Sequence, residues 1–277
     1  MGYKRILTIQ DVSCVGKCSM AVALPILSAC GHEVSILPTS ILSTHTGLSR
    51  SPVVCHIDSS LAAIRKHWEA LGIRFDIILT GYLGSIQAVD EVLTISKRLL
   101  APGGELIVDP AMADHGKLYS GLDDEYAAAM AKLCEAADIL LPNVTEAAML
   151  SGVAYRNLDE EYVAQLLNAM SCSNVVLTGI GYKPDETGVE IRDGMKKYFY
   201  RHRRFEKNYH GTGDIFAACF AGARASGRSL FESAKIAADF THLAIEHTWN
   251  DPSDSFGVKY ELCLHRLIEM IKKESET

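Results

Sequence analysis

Six short runs rich in Ile, Leu and Val recur along the chain and constrain its fold more than any other feature. They are RILTI (5–9), EVSILP (33–38), FDIILTG (75–81), ELIVDP (105–110), DILLP (138–142) and NVVLTG (174–179). Their apolar residues stand side by side instead of alternating with polar ones, as in strands buried on both faces. Helical patterns fill the gaps, at 16–30, 58–71, 85–100, 123–136 and 159–171. Repeated strand–helix units predict an α/β fold: three layers, with a mostly parallel central sheet and helices on both faces. The rhythm breaks after residue 180. TGVEIRDGMKKYFYRHRRF predicts a β-hairpin near 187–204, turning at RDGM (192–195). A long helix to about Gly227, a helical stretch at 229–248 and an amphipathic helix near 257–275 close the chain. No linker, repeat or low-complexity tract interrupts it, so residues 1–277 are expected to form a single domain.

Composition narrows the function. The net charge is −7 and the pI about 5.8, which argues against nucleic acid as a partner. The one dense basic run, KKYFYRHRR (Lys196 to Arg204), interleaves its charges with aromatics and reads as a strand with one wet face. No segment has the length of a membrane span, and MGYKRILTIQ has too short an apolar core for a signal peptide. Most of the eight cysteines lie inside apolar runs as small hydrophobes, which suits a reducing cytoplasm. Cys14 and Cys18 have a CxxxC spacing with no second Cys/His pair nearby, a weak zinc signal.

Ligands of open α/β sheets sit beyond the carboxyl ends of the strands. That rule selects Asp11, Gly81, Tyr82, Asp109, Asn143, Glu146, Thr178 and Gly179. A pocket with several acids and few bases suits a magnesium-bound phosphate better than a bare anion. The stretch HGTGDIF (210–216) then stands out, because glycines before a helix let a phosphoryl group approach exposed N–H groups. An acid beside them is placed to take a proton from an attacking hydroxyl. The plainer alternative is a helix cap, with Thr212 or Asp214 as the capping residue. Similarly, Asn143 and Glu146 have the spacing of a capping box.

GTGDIFAACFAGA (211–223), DPAMADHGKLY (109–119), LPNVTEAAML (141–150) and VVLTG (175–179) resemble the ribokinase-like superfamily in order and spacing. IQDVSCVGKCSMAVALPILSACGHEVSILPTSILSTHTG (9–47) is similar to the opening of the vitamin B6 kinases, the pyridoxal/pyridoxamine kinases. The resemblance, running from about residue 5 to about 250, implies ATP-dependent phosphorylation of a B6 vitamer by a homodimer using Mg²⁺. It implies Asp214 as general base and Gly211, Thr212 and Gly213 as the hole for the γ-phosphate. Asp109 and Glu146 would hold Mg²⁺ beside Asn143, with Asp114, Thr178 and Gly179 near the nucleotide. Thr46 and Tyr82, with His45 close by, would meet the pyridoxal ring.

The pattern has departures. Asp11 stands where many B6 kinases have Ser, and a carboxylate there would suit a protonated pyridine nitrogen. Leu141 replaces a Thr that lies near a monovalent cation in some relatives, which leaves a potassium requirement open. LSRSPVVCHIDSS (48–60) fits poorly, as a flap or substrate-rim segment. A hydroxymethylpyrimidine kinase of thiamine synthesis is the alternative enzyme, usually without the IQDVS…STHTG opening. A sugar kinase is disfavoured, because the early glycine-rich sugar-binding strands of such enzymes are missing from this chain. A non-catalytic vitamin-binding protein and a lyase repairing hydrated nicotinamide nucleotides are the other readings of the scaffold.

Overall fold

Alternate residues along the central strands part to opposite sides of one sheet. The computed structural model describes residues 2–272 except Arg50, Asn208, Pro252, Asp254 and Ser255. The strands are β1 (Arg5–Ser13), β2 (Glu33–Leu42), β3 (Val54–His56), β4 (Phe75–Thr80), β5 (Leu100–Val108) and β6 (Ala113–Asp114). After these come β7 (Lys117–Leu118), β8 (Ile139–Leu140), β9 (Asn174–Thr178), β10 (Glu186–Asp193) and β11 (Lys196–Arg203). Among the described residues nine of them form one sheet, in the order β11-β10-β9-β8-β5-β4-β1-β2-β3. The run from β9 to β2 is parallel, and β3, β10 and β11 add antiparallel flanks. β6 and β7 form a separate small hairpin after β5.

The helices are α1 (Met20–Ala29), α2 (Asp58–Ala70), α3 (Ile86–Leu99), α4 (Asp124–Glu135) and α5 (Val144–Ser151). They continue as α6 (Glu160–Ala169), α7 (Thr212–Ala225), α8 (Leu230–Asn250) and α9 (Leu264–Lys272), with a 3-10 turn at Tyr260–Cys263. Ile6, Ile77, Leu79, Ile107, Ile139 and Val176 face α1, α7, α8 and α9. Their neighbours Leu7, Ile9, Ile78, Leu106, Val108, Leu140, Val175 and Leu177 face α2 to α6. Period-two strands with both faces apolar need helices on both sides, and the chain supplies them. α7 is the most deeply set: every residue from Ile215 to Ala223 is buried, as expected of a helix apolar on all sides.

The sheet and hairpin stand where the sequence predicts them, and several boundaries move. The first helix starts at Met20, not 16, because the chain between them takes positive φ at Gly16 (114°) and Ser19 (52°). Asp11 lies within β1 itself, ahead of this turn. β5 begins at Leu100, directly after α3, instead of at 105. The 48–60 segment contributes the edge strand β3 and the start of α2. The closing helix starts later than 257, at Leu264, since Tyr260–Cys263 is wound as 3-10, and its expected end at 275 lies outside the described residues. KKYFYRHRR forms β11 at one edge of the sheet, and the three-residue β3 forms the other.

Candidate active site

The first turn of α7 is left open by its own sequence. Side chains cap the starts of α3, α4, α5, α6 and α8 through Ser85, Asp123, Asn143, Asp159 and Ser229. α7 starts instead from Gly211 at φ 80°, with no side-chain cap. Thr212 does not cap it, since its hydroxyl donates to the carbonyl of Tyr209 at 3.3 Å. The exposed N–H groups and the positive end of the dipole are thus available to an anion. A methyl group on Gly211 would lie 1.8 Å from the carbonyl oxygen of Lys17, so this loop closes only on glycine. Asp214, in the same first turn, is part-buried and accepts a backbone bond from Ser19. Burial, then the charges of Asp109 and Asp11, push its carboxyl up to about 7.

A second group of acids follows β5. Asp109 leads into Pro110 and accepts from the N–H of Ala111 at 3.1 Å. Ala111 (φ 36°) and His115 (φ 50°) hold left-handed backbone without being glycine, local strain of the kind stored beside binding sites. Glu146 is buried, and its Oε1 accepts from Met112 N at 3.0 Å while Oε2 accepts from Asn143 N at 2.9 Å. Asn143 accepts in return from Glu146 N at 3.0 Å and donates through Nδ2 to the carbonyl of Ala113 at 2.8 Å. The pair is therefore a true capping box on α5 that also clamps the β6–β7 hairpin. Burial raises Glu146 to about 7, and burial together with Glu146 raises Asp109. Thr178 and Gly179 follow β9, with the Thr178 hydroxyl on the carbonyl of Pro142 at 3.3 Å. Leu141 is buried in the core.

The end of β1 supplies the other wall. Asp11 is 2 % exposed, its N–H donates to the carbonyl of Tyr82 at 3.1 Å, and its carboxylate accepts from the Ser13 hydroxyl at 2.9 Å. Burial raises its pKa, partly offset by Ser19 and Ser13. Tyr82 is raised too, by burial and then by Asp11. His45 is buried and accepts at Nδ1 from the N–H of Gly47 at 3.2 Å, while Thr46 is exposed beside it. Asp114 and Gly213 are also exposed, at the rim.

The structure thus draws Asp11, Asp214, Asp109 and Glu146 into one electrostatic chain, each raised by burial. Two residues absent from the sequence-selected set stand in it. Burial pushes both upward, helped for Tyr119 by the charges of Glu146, Asp109, Asp114 and Asp214 and for Cys18 by those of Asp214 and Asp11. Tyr119 ends the DHGKLY stretch, and only its place after the hairpin marks it. The hollows of about 310 and 330 Å³ lie elsewhere, beside Thr145 and Met149 and along Lys183 and Arg203.

Among the described residues no three or more His, Cys, Asp and Glu side chains are grouped as a metal cage, at Cys14 and Cys18 or elsewhere. Mg²⁺ does not need one, because it binds through one or two carboxylates, waters and phosphate oxygens. Asp109 and Glu146 suit it: burial raises both, and the charges of Glu146 on Asp109 and of Asp114 on Glu146 add to this, as a cation would reverse. Glu146 has both oxygens on backbone N–H groups, so Asp109 is the freer ligand.

The family model of phosphomethylpyrimidine kinase matches residues 35–257. The chain belongs to that family. This phosphomethylpyrimidine kinase family member is 29 % identical over 211 residues to the hydroxymethylpyrimidine/phosphomethylpyrimidine kinase of Bacillus subtilis, covering 72 % of this chain and 77 % of that one. Its structure is similar to the pyridoxal kinase of Lactobacillus plantarum, with TM-score 0.88, 33 % identity, and 97 % and 98 % of the two chains covered. It is also similar to a Bacteroides thetaiotaomicron protein assigned to the phosphomethylpyrimidine kinases and crystallised with pyridoxal (TM-score 0.89, 29 % identity, 96 % of each chain). The family member is a kinase with a ribokinase-like fold. Among the described residues no helix is long and apolar enough to cross a membrane.

Proposed function

We propose that this kinase transfers the γ-phosphoryl group of ATP to the 5′-hydroxymethyl group of pyridoxal, pyridoxamine or pyridoxine, in pyridoxal phosphate salvage. One observation carries the reading: Asp214, raised to about 7, stands in the uncapped first turn of α7 and within electrostatic reach of Asp11. In this reading the vitamer ring lies over the end of β1, against Asp11, Thr46 and Tyr82, with His45 behind. Its hydroxymethyl group points to Asp214, which takes the proton as the oxygen attacks phosphorus. The N–H groups at Gly211, Thr212 and Gly213 receive the charge of the transferring phosphoryl.

Asp109 and Glu146 would hold Mg²⁺, which would neutralise charge on the phosphate oxygens. Asn143, Asp114, Thr178 and Gly179 would line the nucleotide. A carboxylate whose proton affinity lies near neutrality is well matched to accept a proton there. The same reading has the chain act as one domain, as a homodimer, in the cytoplasm.

The family match and the Bacillus subtilis relative favour a second reading, with hydroxymethylpyrimidine as acceptor. Asp11 and the THTG loop favour the vitamer. The deciding assay measures ATP consumption with each B6 vitamer and with hydroxymethylpyrimidine, side by side. A kcat/KM at least tenfold higher for a vitamer supports the proposal, and the reverse preference rejects it.

A further inference from the structure

Three loops meet over the reacting groups, and each is seated on a glycine of another. The β1–α1 loop (14–19) holds Gly16, where an added methyl would lie 2.2 Å from Cδ2 of His45. The loop after β2 holds Gly47, where an added methyl would lie 2.6 Å from Cε1 and 2.7 Å from Nδ1 of His210. The loop before α7 holds Gly211, pressed on the carbonyl of Lys17. His45 and His210 then face each other, ring centroids 5.2 Å apart and tilted by 51°. His45 on Gly16, His210 on Gly47 and Gly211 on Lys17 close a ring of contacts.

We infer that His210 is a positioning residue for phosphoryl transfer: its ring, laid across Gly47, fixes the gap between the Thr46 loop and the Gly211–Asp214 turn. The inference rests on the reading above, in which the acceptor lies against Thr46 and the phosphate against Gly211–Asp214. The reacting oxygen and phosphorus must be held about 3–3.5 Å apart, and displacement by about 1 Å can cost 100-fold in rate. His210 is exposed, so removing its ring leaves the core untouched. Neither loop has another aromatic side chain bridging to the other among the described ring contacts.

The test is a double-mutant cycle on the full chain. His210→Ala removes the ring, and Gly47→Ala displaces it by occupying its seat. Each single variant should lower kcat about 10- to 100-fold while the dissociation constants of MgADP and of the acceptor, measured by calorimetry, move less than about threefold. The double variant should be no slower than either single one, because both remove the same contact. His210→Phe, which keeps a flat ring, should recover kcat to within about threefold of the parent. Multiplying losses in the double variant, an unchanged kcat in His210→Ala, or no recovery with Phe overturns the inference. The cycle is run on whichever acceptor the side-by-side assay selects. A preference for hydroxymethylpyrimidine would then reject the vitamer reading, while the cycle still decides whether His210 positions the two loops.

Discussion

Asp214 is a carboxyl whose surroundings make it a base near neutrality. Burial raises it to about 7, and the nearby charges of Asp109 and Asp11 act in the same direction. As the proposed base it must be ionised to work, so kcat/KM should fall below an apparent pKa near 7 and level above it. Asp214→Asn should lower turnover by about 10²–10⁴-fold and abolish that limb, which a pH–rate profile would record. Asp11 makes a separate prediction. Its carboxylate is buried and hydrogen-bonded to Ser13, and a charge-assisted bond to a ring nitrogen is stronger than one from serine. Asp11→Ala should raise the vitamer KM roughly 5- to 100-fold, corresponding to about 1–3 kcal/mol, with KM for ATP little changed. Asp11→Ser should retain activity. A drop in Tm with an unchanged vitamer KM would leave Asp11 a purely structural role.

Two helices with the same cap separate stability from function at the scale of elements. Asn143 with Glu146 caps α5, and Ser229 with Glu232 caps α8. Alanine at either cap residue should cost about 1 kcal/mol in denaturant unfolding. Only Asn143→Ala should also reduce turnover, because its Nδ2 holds the β6–β7 hairpin beside Asp109. The same elements explain which parts of the fold the sequence displays. Ile, Leu and Val runs mark the strands because burial on both faces leaves no room for polar residues. β1 outruns RILTI by four residues, through Ser13, because Gln10, Asp11 and Ser13 are polar yet buried where the site begins. β6 and β7 have two residues each and no apolar period, being held by Glu146 and Asn143 on Ala113 rather than by a hydrophobic pattern. Asp109, Glu146 and Asp214 are recognisable because strand ends and helix starts have local signatures. The contact of His210 with Gly47 joins loops distant in sequence, and no local pattern announces it.

Across the whole molecule, the buried acids tie stability to pH in an unusual direction. Asp11, Asp109 and Asp214 are raised from 3.8 and Glu146 from 4.5, so the folded chain holds protons that the unfolded chain has released. Their contribution is fully present below about pH 4 and is lost as pH rises through about 7, where Asp214 and Glu146 ionise. Asp251, lowered to about 2 by Lys259 and Ser253, loses its contribution only in stronger acid. These four acids should therefore lower the melting temperature of the ligand-free protein between pH 5 and pH 8, against an opposite pull from His32, His45 and His202, whose pKa values burial lowers. Asp214→Asn should flatten that decline, at roughly 2–4 °C of Tm per kcal/mol. A pH dependence of Tm that is the same in Asp214→Asn as in the parent would contradict the assignment. The edges of the sheet pose a different question, that of remaining dispersed. An unpaired strand invites a second chain to add to it, and charge or brevity discourages this. β3 is three residues long, while β11 carries exposed Lys196, Lys197, Arg201 and Arg203. Valine at Lys197 and Arg203 should leave catalysis intact and raise light scattering on concentration. The basic run of an acidic protein is thus a guard on its own open edge, keeping copies of the chain from zipping together.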